Sequence, residues 1–138
     1  MSHEEIELIQ AEYAAMNRQD WPEVFSQAQP DFEFRPPDRG LGAGVSRGRD
    51  KAREDVMTFF SVFEEVIVEA EEFHDRGDRI AVFFRLRTRP RGSSAMVEIR
   101  AGHVWTVRDG LLASLAIFPE REKALEAAES ARASVQTR

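Results

Sequence analysis

Ile6, Ile9, Tyr13 and Met16 recur at intervals of three and four residues, so at about 100° per residue they form one stripe. This predicts an amphipathic first helix over about residues 3–17. Asp20 stands where an N-cap would open a short second helix carrying Trp21, Val24 and Phe25, with Pro22 in its first turn and an end near Gln29-Pro30. Asp31-Phe32-Glu33-Phe34-Arg35 alternates as a strand, which Pro36-Pro37 closes. Residues 36–48 hold those prolines with Gly40, Gly42, Gly44 and Gly48, a composition that sustains neither regular period. From Asp50 the helical period returns, with Val56, Phe59, Phe60 and Phe63 on one stripe of what reads as the main core helix.

Beyond Phe63 the period changes to two. Val66, Val68 and Ala70 alternate with Ile67, Glu69 and Glu71, and the turn Asp75-Arg76-Gly77-Asp78 reverses the chain into Ile80, Val82, Phe84 and Leu86. A turn at Pro90–Ser94 leads to Val97, Ile99, Ala101, His103, Trp105 and Val107, and Arg108-Asp109-Gly110 leads to a last strand ending at Phe118. Pro119 opens a final helix from Glu120 to about Ala133, with an alanine-rich apolar side; Ser134 to Arg138 reads as a disordered tail. Pairing Asp75 with Arg79 sets Val68 opposite Leu86, Ala70 opposite Phe84 and Glu69 opposite Arg85, whereas a one-residue shift buries carboxylates. The same parity puts Ile80, Val82, Phe84 and Leu86 on one face with Val97, Ile99, Ala101, His103 and Trp105. That face is where the helices must lie.

The 138 residues fit one domain. Nineteen Lys and Arg against twenty-five Asp and Glu leave a net charge of −6, which argues against nucleic acid and anionic membranes as partners. No cysteine is present, which removes disulfides, thiolate metal sites and a cysteine nucleophile. No apolar run is long enough for a membrane span, and a cytoplasmic location is expected. His3, His74 and His103 lack metal-ligand spacing, and no Ser-His-Asp order stands out, so neither metal, cofactor nor covalent nucleophile is expected.

Tyr13-Ala14-Ala15-Met16-Asn17-Arg18-Gln19-Asp20 resembles the end of the first helix in SnoaL-like proteins. Val104-Trp105-Thr106-Val107-Arg108-Asp109-Gly110, followed by Phe118-Pro119-Glu120-Arg121-Glu122-Lys123-Ala124-Leu125-Glu126-Ala127-Ala128, is similar to their last hairpin and C-terminal helix. The order of elements is that of the nuclear transport factor 2 superfamily. The resemblance covers residues 4 to about 129 and implies a single SnoaL-like domain, ordered over about 4–132. The implied fold class is α+β: a cone-shaped, curved antiparallel sheet wrapped on three N-terminal helices, plus a C-terminal helix, with a pocket open at one end and often a dimer across the outer sheet face. The superfamily hosts isomerases, cyclases, dehydratases and non-catalytic modules alike. Against its ketosteroid isomerases, the proton-shuttling aspartate falls at Pro36, the oxyanion tyrosine at Glu12 rather than Tyr13, and a third carboxylic acid at about His103.

Within that fold His103 is the candidate acid or base, set against a plain core histidine. Tyr13 is the candidate hydrogen-bond donor to a ligand carbonyl, set against a core tyrosine. Asp38, in the Gly-rich loop that the resemblance places at the pocket mouth, is a candidate base against a solvated turn aspartate. Glu12 flanks the helical stripe and reads first as an exposed helix glutamate. Trp21, Phe59, Phe63, Val82, Phe84 and Trp105 are the expected apolar ligand-binding wall. Arg85, Arg87, Arg89 and Arg91 share parity on the outer face, where cross-strand glutamates explain them better than a nucleic acid does. Ile67, Phe83, Arg85, Arg87 and Arg100 on that face suggest a homodimer contact. Three functions stay open: proton-transfer chemistry on a small apolar molecule as an isomerase, cyclase or dehydratase; ligand binding without reaction; and an interaction role through the outer face.

Overall fold

In a computed structural model, which describes the backbone of residues 2–37 and 44–136 and the side chains of 3–37 and 44–130, the first apolar stripe folds as helix α1 (Ser2–Asn17). Ile9, Tyr13 and Met16 are buried on it, with Ile6 packed against them. Gln19 takes the left-handed conformation (φ 55°) that ends the helix, and the Asp20 N–H returns to the Ala15 carbonyl at 3.0 Å.

The expected second helix does not form. Residues 21–27 are a run of turns in which Glu23 and Val24 donate to the Asp20 carbonyl, and Phe25 has φ 63°. The cause is tertiary: the Phe25 N–H donates to the Glu12 carboxylate at 2.8 Å instead of to a preceding carbonyl. Glu12 is therefore buried, not exposed as its flanking position suggested. The N-terminal helices number two, not three, among the described residues.

The strand expected at Asp31 begins earlier, as β1 (Ala28–Arg35), and Ser46–Arg47 forms a short β2 against it that no periodicity announces. Helix α2 (Arg49–Ser61) follows. Its buried stripe is Ala52, Val56 and Phe60; Phe63 instead opens β3 (Phe63–Asp75), and Phe59 is 44% exposed. Strands β4 (Arg79–Pro90), β5 (Val97–Arg108) and β6 (Leu111–Phe118) complete one sheet in the order β2-β1-β6-β5-β4-β3. The β1–β6 pair is parallel and the other pairs are antiparallel. Asp109 (φ 55°) and Gly110 (φ 77°) make the tight turn between β5 and β6.

The charge-based register holds where it was argued: Val68 faces Leu86, Glu69 faces Arg85 and Ala70 faces Phe84. A bulge between Ala70 and Glu72 then advances the pairing by one, so Asp75 faces Ile80 rather than Arg79. The bulge turns Phe73 inward against the core, where uninterrupted alternation would have left it on the outer face. Across β4 and β5 the shared inner face is the one expected, and its pairs are Ile80 with Trp105, Val82 with His103, Phe84 with Ala101 and Leu86 with Ile99.

Edge strand β3 is covered by α1 through Asn17, whose amide nitrogen donates to the Val68 carbonyl (2.8 Å) while its oxygen accepts from the Val68 N–H (2.9 Å). One amide thus satisfies both backbone groups an edge strand would otherwise offer to a foreign strand. Asn17→Ala is expected to cost about 2–3 kcal/mol in urea denaturation, since it leaves both half-buried groups without their partner.

Helix α3 (Arg121–Gln136) packs on the outer face, with Ala124 and Ala128 against Ala81 and Val104, and runs past the end expected at Ala133. Its Arg121 guanidinium lies 5.2 Å from the Phe83 ring centroid, so the apolar centre proposed for a dimer contact is partly covered within the chain itself. Arg85 and Arg87 both reach Glu69 (2.7 and 3.0 Å), Arg89 reaches Glu65 (3.5 Å) and Arg91 reaches Glu64 (3.3 Å), which neutralises the arginine stripe across the strands.

Candidate functional site

The inner sheet face is filled unevenly. Towards the β3–β4 turn, Ile80, Val82 and Trp105 are fully buried, Trp105 against Tyr13 of α1 and Phe25 of the 21–27 turns, and the Phe25 ring lies 4.5 Å from that of Phe32 in β1, tilted at 35°. Towards the other end, α2 stands off the sheet and leaves a cavity of about 340 Å³. This lies at the lower end of the range of about 300–1,000 Å³ for small-molecule sites. Phe34, Phe60 and Phe84 give aromatic walls, Ala101, Leu115 and Ile117 apolar ones, and Phe59 and Ile99 (44% and 48% exposed) stand where it meets solvent.

Among the described residues, two lining side chains are titratable, His103 and Asp55. The His103 ring is 6% exposed and lies 3.9 Å, centroid to centroid, from Phe84, stacked at 23°. Its Nδ1 is 2.7 Å from the Tyr13 hydroxyl, which also accepts the Trp105 indole N–H at 2.9 Å. Nε2 has no protein partner among the described residues. Burial depresses the imidazole to a pKa of about 3 and pushes the Tyr13 phenol up, the Trp105 N–H acting the other way on the phenol. His103 is therefore neutral in ordinary buffers and a poor proton acceptor. Asp55 accepts from the Ser46 hydroxyl and, at 2.9 Å, from Lys51; these hold it below the usual carboxylate range.

Of the residues expected from sequence, His103, Phe59 and Phe84 line the cavity. Tyr13 sits behind His103, its hydroxyl committed to the ring rather than offered to a ligand. Val82 and Trp105 share the His103 face but belong to the filled end, fully buried. Trp21 packs its edge on Phe60 (5.3 Å) and Phe63 on Phe59 (5.2 Å), both supporting the wall without forming it. Asp38 lies outside the described residues. Pro36, where the resemblance puts the isomerase aspartate, lines the cavity. Nothing in the sequence marks Asp55: it lies on the polar side of the α2 pattern, and its bond to Ser46 of β2 crosses to the sheet at the cavity edge.

Glu12, one turn of α1 before the lining residue Met16 and not itself part of the cavity wall, is pushed up to about 7 by burial, against the Phe25 N–H and the Arg53 charge, with Glu23 adding to the rise. Among the described residues no three His, Cys, Asp or Glu side chains are placed to hold a metal ion, and no helix is long and apolar enough to cross a membrane.

Comparison with known proteins agrees with this architecture. TerC, crystallised with polyporic acid, superposes with a TM-score of 0.75 at 25% identity, over 91% of this chain and 98% of that one. An NTF2-like protein of unknown function from Burkholderia pseudomallei gives a TM-score of 0.74 at 21% identity, over 89% of this chain and 95% of that one. Rv0760c of Mycobacterium tuberculosis, in complex with estradiol-17β-hemisuccinate, gives 0.67 at 16% identity, over 78% and 87%. No curated protein matches the sequence. The SnoaL-like domain matches residues 9–115, most of the chain from α1 into β6, and the protein belongs to that family.

Proposed function

We propose that the protein binds an apolar small molecule in this cavity, with one polar atom of the ligand at His103. The observation that carries the reading is the composition of the wall: aromatic and aliphatic side chains surround a single inward imidazole, while the carboxylate at the edge, Asp55, is taken up by Ser46 and Lys51. Such a site favours a ligand that is apolar over most of its surface and oriented by one hydrogen bond. The small organic molecules held by TerC and by Rv0760c support it.

Proton-transfer chemistry is the second reading, favoured by the presence of Asp55 and His103 on one cavity. His103 would polarise a carbonyl and Asp55 would take the proton, as an isomerase, cyclase or dehydratase requires. Binding without reaction stands ahead of it, because the hydrogen bonds from Ser46 and Lys51 make Asp55 a weaker base than a free carboxylate.

Native mass spectrometry of the purified protein, with analysis of the released compound after incubation, tests both. An adduct returned unchanged supports binding alone; a chemically altered one moves the assignment to catalysis. Ala101→Phe should fill the cavity from its sheet wall and abolish the adduct while leaving the melting temperature within a few degrees, since it enters empty space rather than packed core. Retention of the adduct by that variant would place the ligand elsewhere.

A further inference from the structure

We infer that Tyr13 and Trp105 are positioning residues that lock His103 as the Nε2–H tautomer, so that the cavity selects ligands presenting a hydrogen-bond acceptor and disfavours those presenting a donor. The inference rests on the binding reading above and names the ligand chemistry it demands.

An indole nitrogen can only donate, so in the 2.9 Å bond between Trp105 Nε1 and the Tyr13 oxygen, tyrosine accepts. A phenolic proton has two in-plane orientations, and the indole N–H occupies one of them. The Tyr13 proton is left with the other, where His103 Nδ1 lies 2.7 Å away. Nδ1 must then be the lone-pair nitrogen, and a neutral ring with Nδ1 bare carries its proton on Nε2. The reverse tautomer would crowd the Tyr13 oxygen with two donors and strand its proton in a buried site. The Phe84 ring covers one face of the imidazole and Trp105 stands edge-on at 6.2 Å, which leaves the Nε2 edge for the ligand.

The consequence is specificity. A ketone, a quinone or a deprotonated phenol can take the Nε2–H. An N–H or O–H donor with no acceptor would lose its water partner and find another donor. Neither Tyr13 nor Trp105 lines the cavity, so their influence passes through the ring alone.

Long-range ¹⁵N–¹H correlation spectra of the ¹⁵N-labelled protein read the tautomer directly, with His103→Gln assigning the ring against His3 and His74. The wild type should show a pyridine-type Nδ1 and a pyrrole-type Nε2 for His103, unchanged between pH 5 and 8. Tyr13→Phe removes the donor and should bring both nitrogens towards intermediate shifts. Trp105→Phe, which frees the second hydroxyl orientation, should do so to a smaller degree, and either variant suffices if the other fails to fold. A protonated Nδ1 in the wild type, or an unchanged Nε2–H tautomer in Tyr13→Phe, overturns the lock whatever the ligand results. Three bicyclic probes then test the selection: 1-indanone offers an acceptor, indane neither group, and indole a donor. Indanone should bind about 3- to 10-fold more tightly than indane, the worth of one buried neutral hydrogen bond, and indole no more tightly than indane. Indole matching indanone overturns the selection. If none of the three binds while the spectra are as expected, the cavity reading fails and the tautomer lock is upheld.

Discussion

The stability of Glu12→Gln relative to the wild type should rise by about 3 kcal/mol as pH increases from 4.5 to 7, and stay level beyond. Burial lifts the Glu12 carboxyl from 4.5 to about 7 in the folded chain. Between those values the native state holds a proton the unfolded state has released, so wild-type stability falls as pH climbs through the window. The amide keeps the acceptor for the Phe25 N–H and never ionises. His103 works in the opposite direction. Its folded value is depressed from 6.5 to about 3, so below 6.5 the unfolded state takes up a proton the native ring refuses, and stability falls as pH drops. Between pH 4.5 and 6.5 the two contributions oppose each other, and their sum in the wild type is close to flat. Each variant uncovers the other group: Glu12→Gln exposes the acid-side loss from His103, and His103→Gln exposes the base-side loss from Glu12. Urea titrations of the three proteins at half-unit pH steps check this, with Arg53 and Glu23 left in place as the charges that flank Glu12. Parallel stability curves for wild type and Glu12→Gln would show that the carboxyl titrates at its ordinary value and that its burial carries no ionisation cost.

What the sequence revealed and what it hid divide along physical lines. Alternation and charge were enough to place Glu69 opposite Arg85 and His103 on the inner face, because a one-residue slip there buries carboxylates. The bulge at Glu71 left no such trace: its glutamate is an ordinary strand-face residue, and only the inward turn of Phe73 and the reach of Arg121 to Glu71 account for it. Asp20 and Pro22 are sound helix-start chemistry, yet Glu12, thirteen residues before Phe25, captures an N–H in the middle of the would-be helix. That is a tertiary override of local preference, and the same contact makes a flanking helix glutamate a buried one. For the cavity, parity identified which face a residue is on but not which end of the face is filled. Trp105 and His103 are equivalent by alternation; the difference between core and cavity wall is set by Tyr13, Phe25 and Phe32 packing against one end. Phe59 illustrates the converse: it continues the apolar pattern of α2, and its exposure makes sense only beside an open cavity.

Gly102→Ala should cost about 1–3 kcal/mol and Gly102→Val more, with the loss concentrated in helix α3. The backbone at Gly102 needs no glycine for its dihedral angles; the requirement is clearance. A Cβ there would stand 2.5 Å from the Cβ of Ala124 and 3.5 Å from the Cα of Arg121. Ala124 has no torsion with which to move aside, so the helix itself must lift. Lifting it weakens the contacts that hold it: Ala124 and Ala128 on Ala81 and Val104, and the Arg121 guanidinium on the carbonyls of Ala101 (3.3 Å) and Phe84 (3.0 Å). An alanine-faced helix buries little area per residue, so these few contacts carry most of its docking. Amide hydrogen exchange should therefore accelerate throughout α3 in Gly102→Val while α1 and the β4–β5 core stay protected. Because Gly102 and the cavity lie on opposite faces of β5, binding of 1-indanone should survive. The double variant Gly102→Ala/Ala124→Gly isolates the clash: Ala124→Gly alone should cost about 1 kcal/mol in helix propensity, yet combined with Gly102→Ala it restores the missing space and recovers part of the loss. Strict additivity of the two substitutions would mean that α3 does not rest on Gly102, and that the outer face of the sheet is free to meet something else.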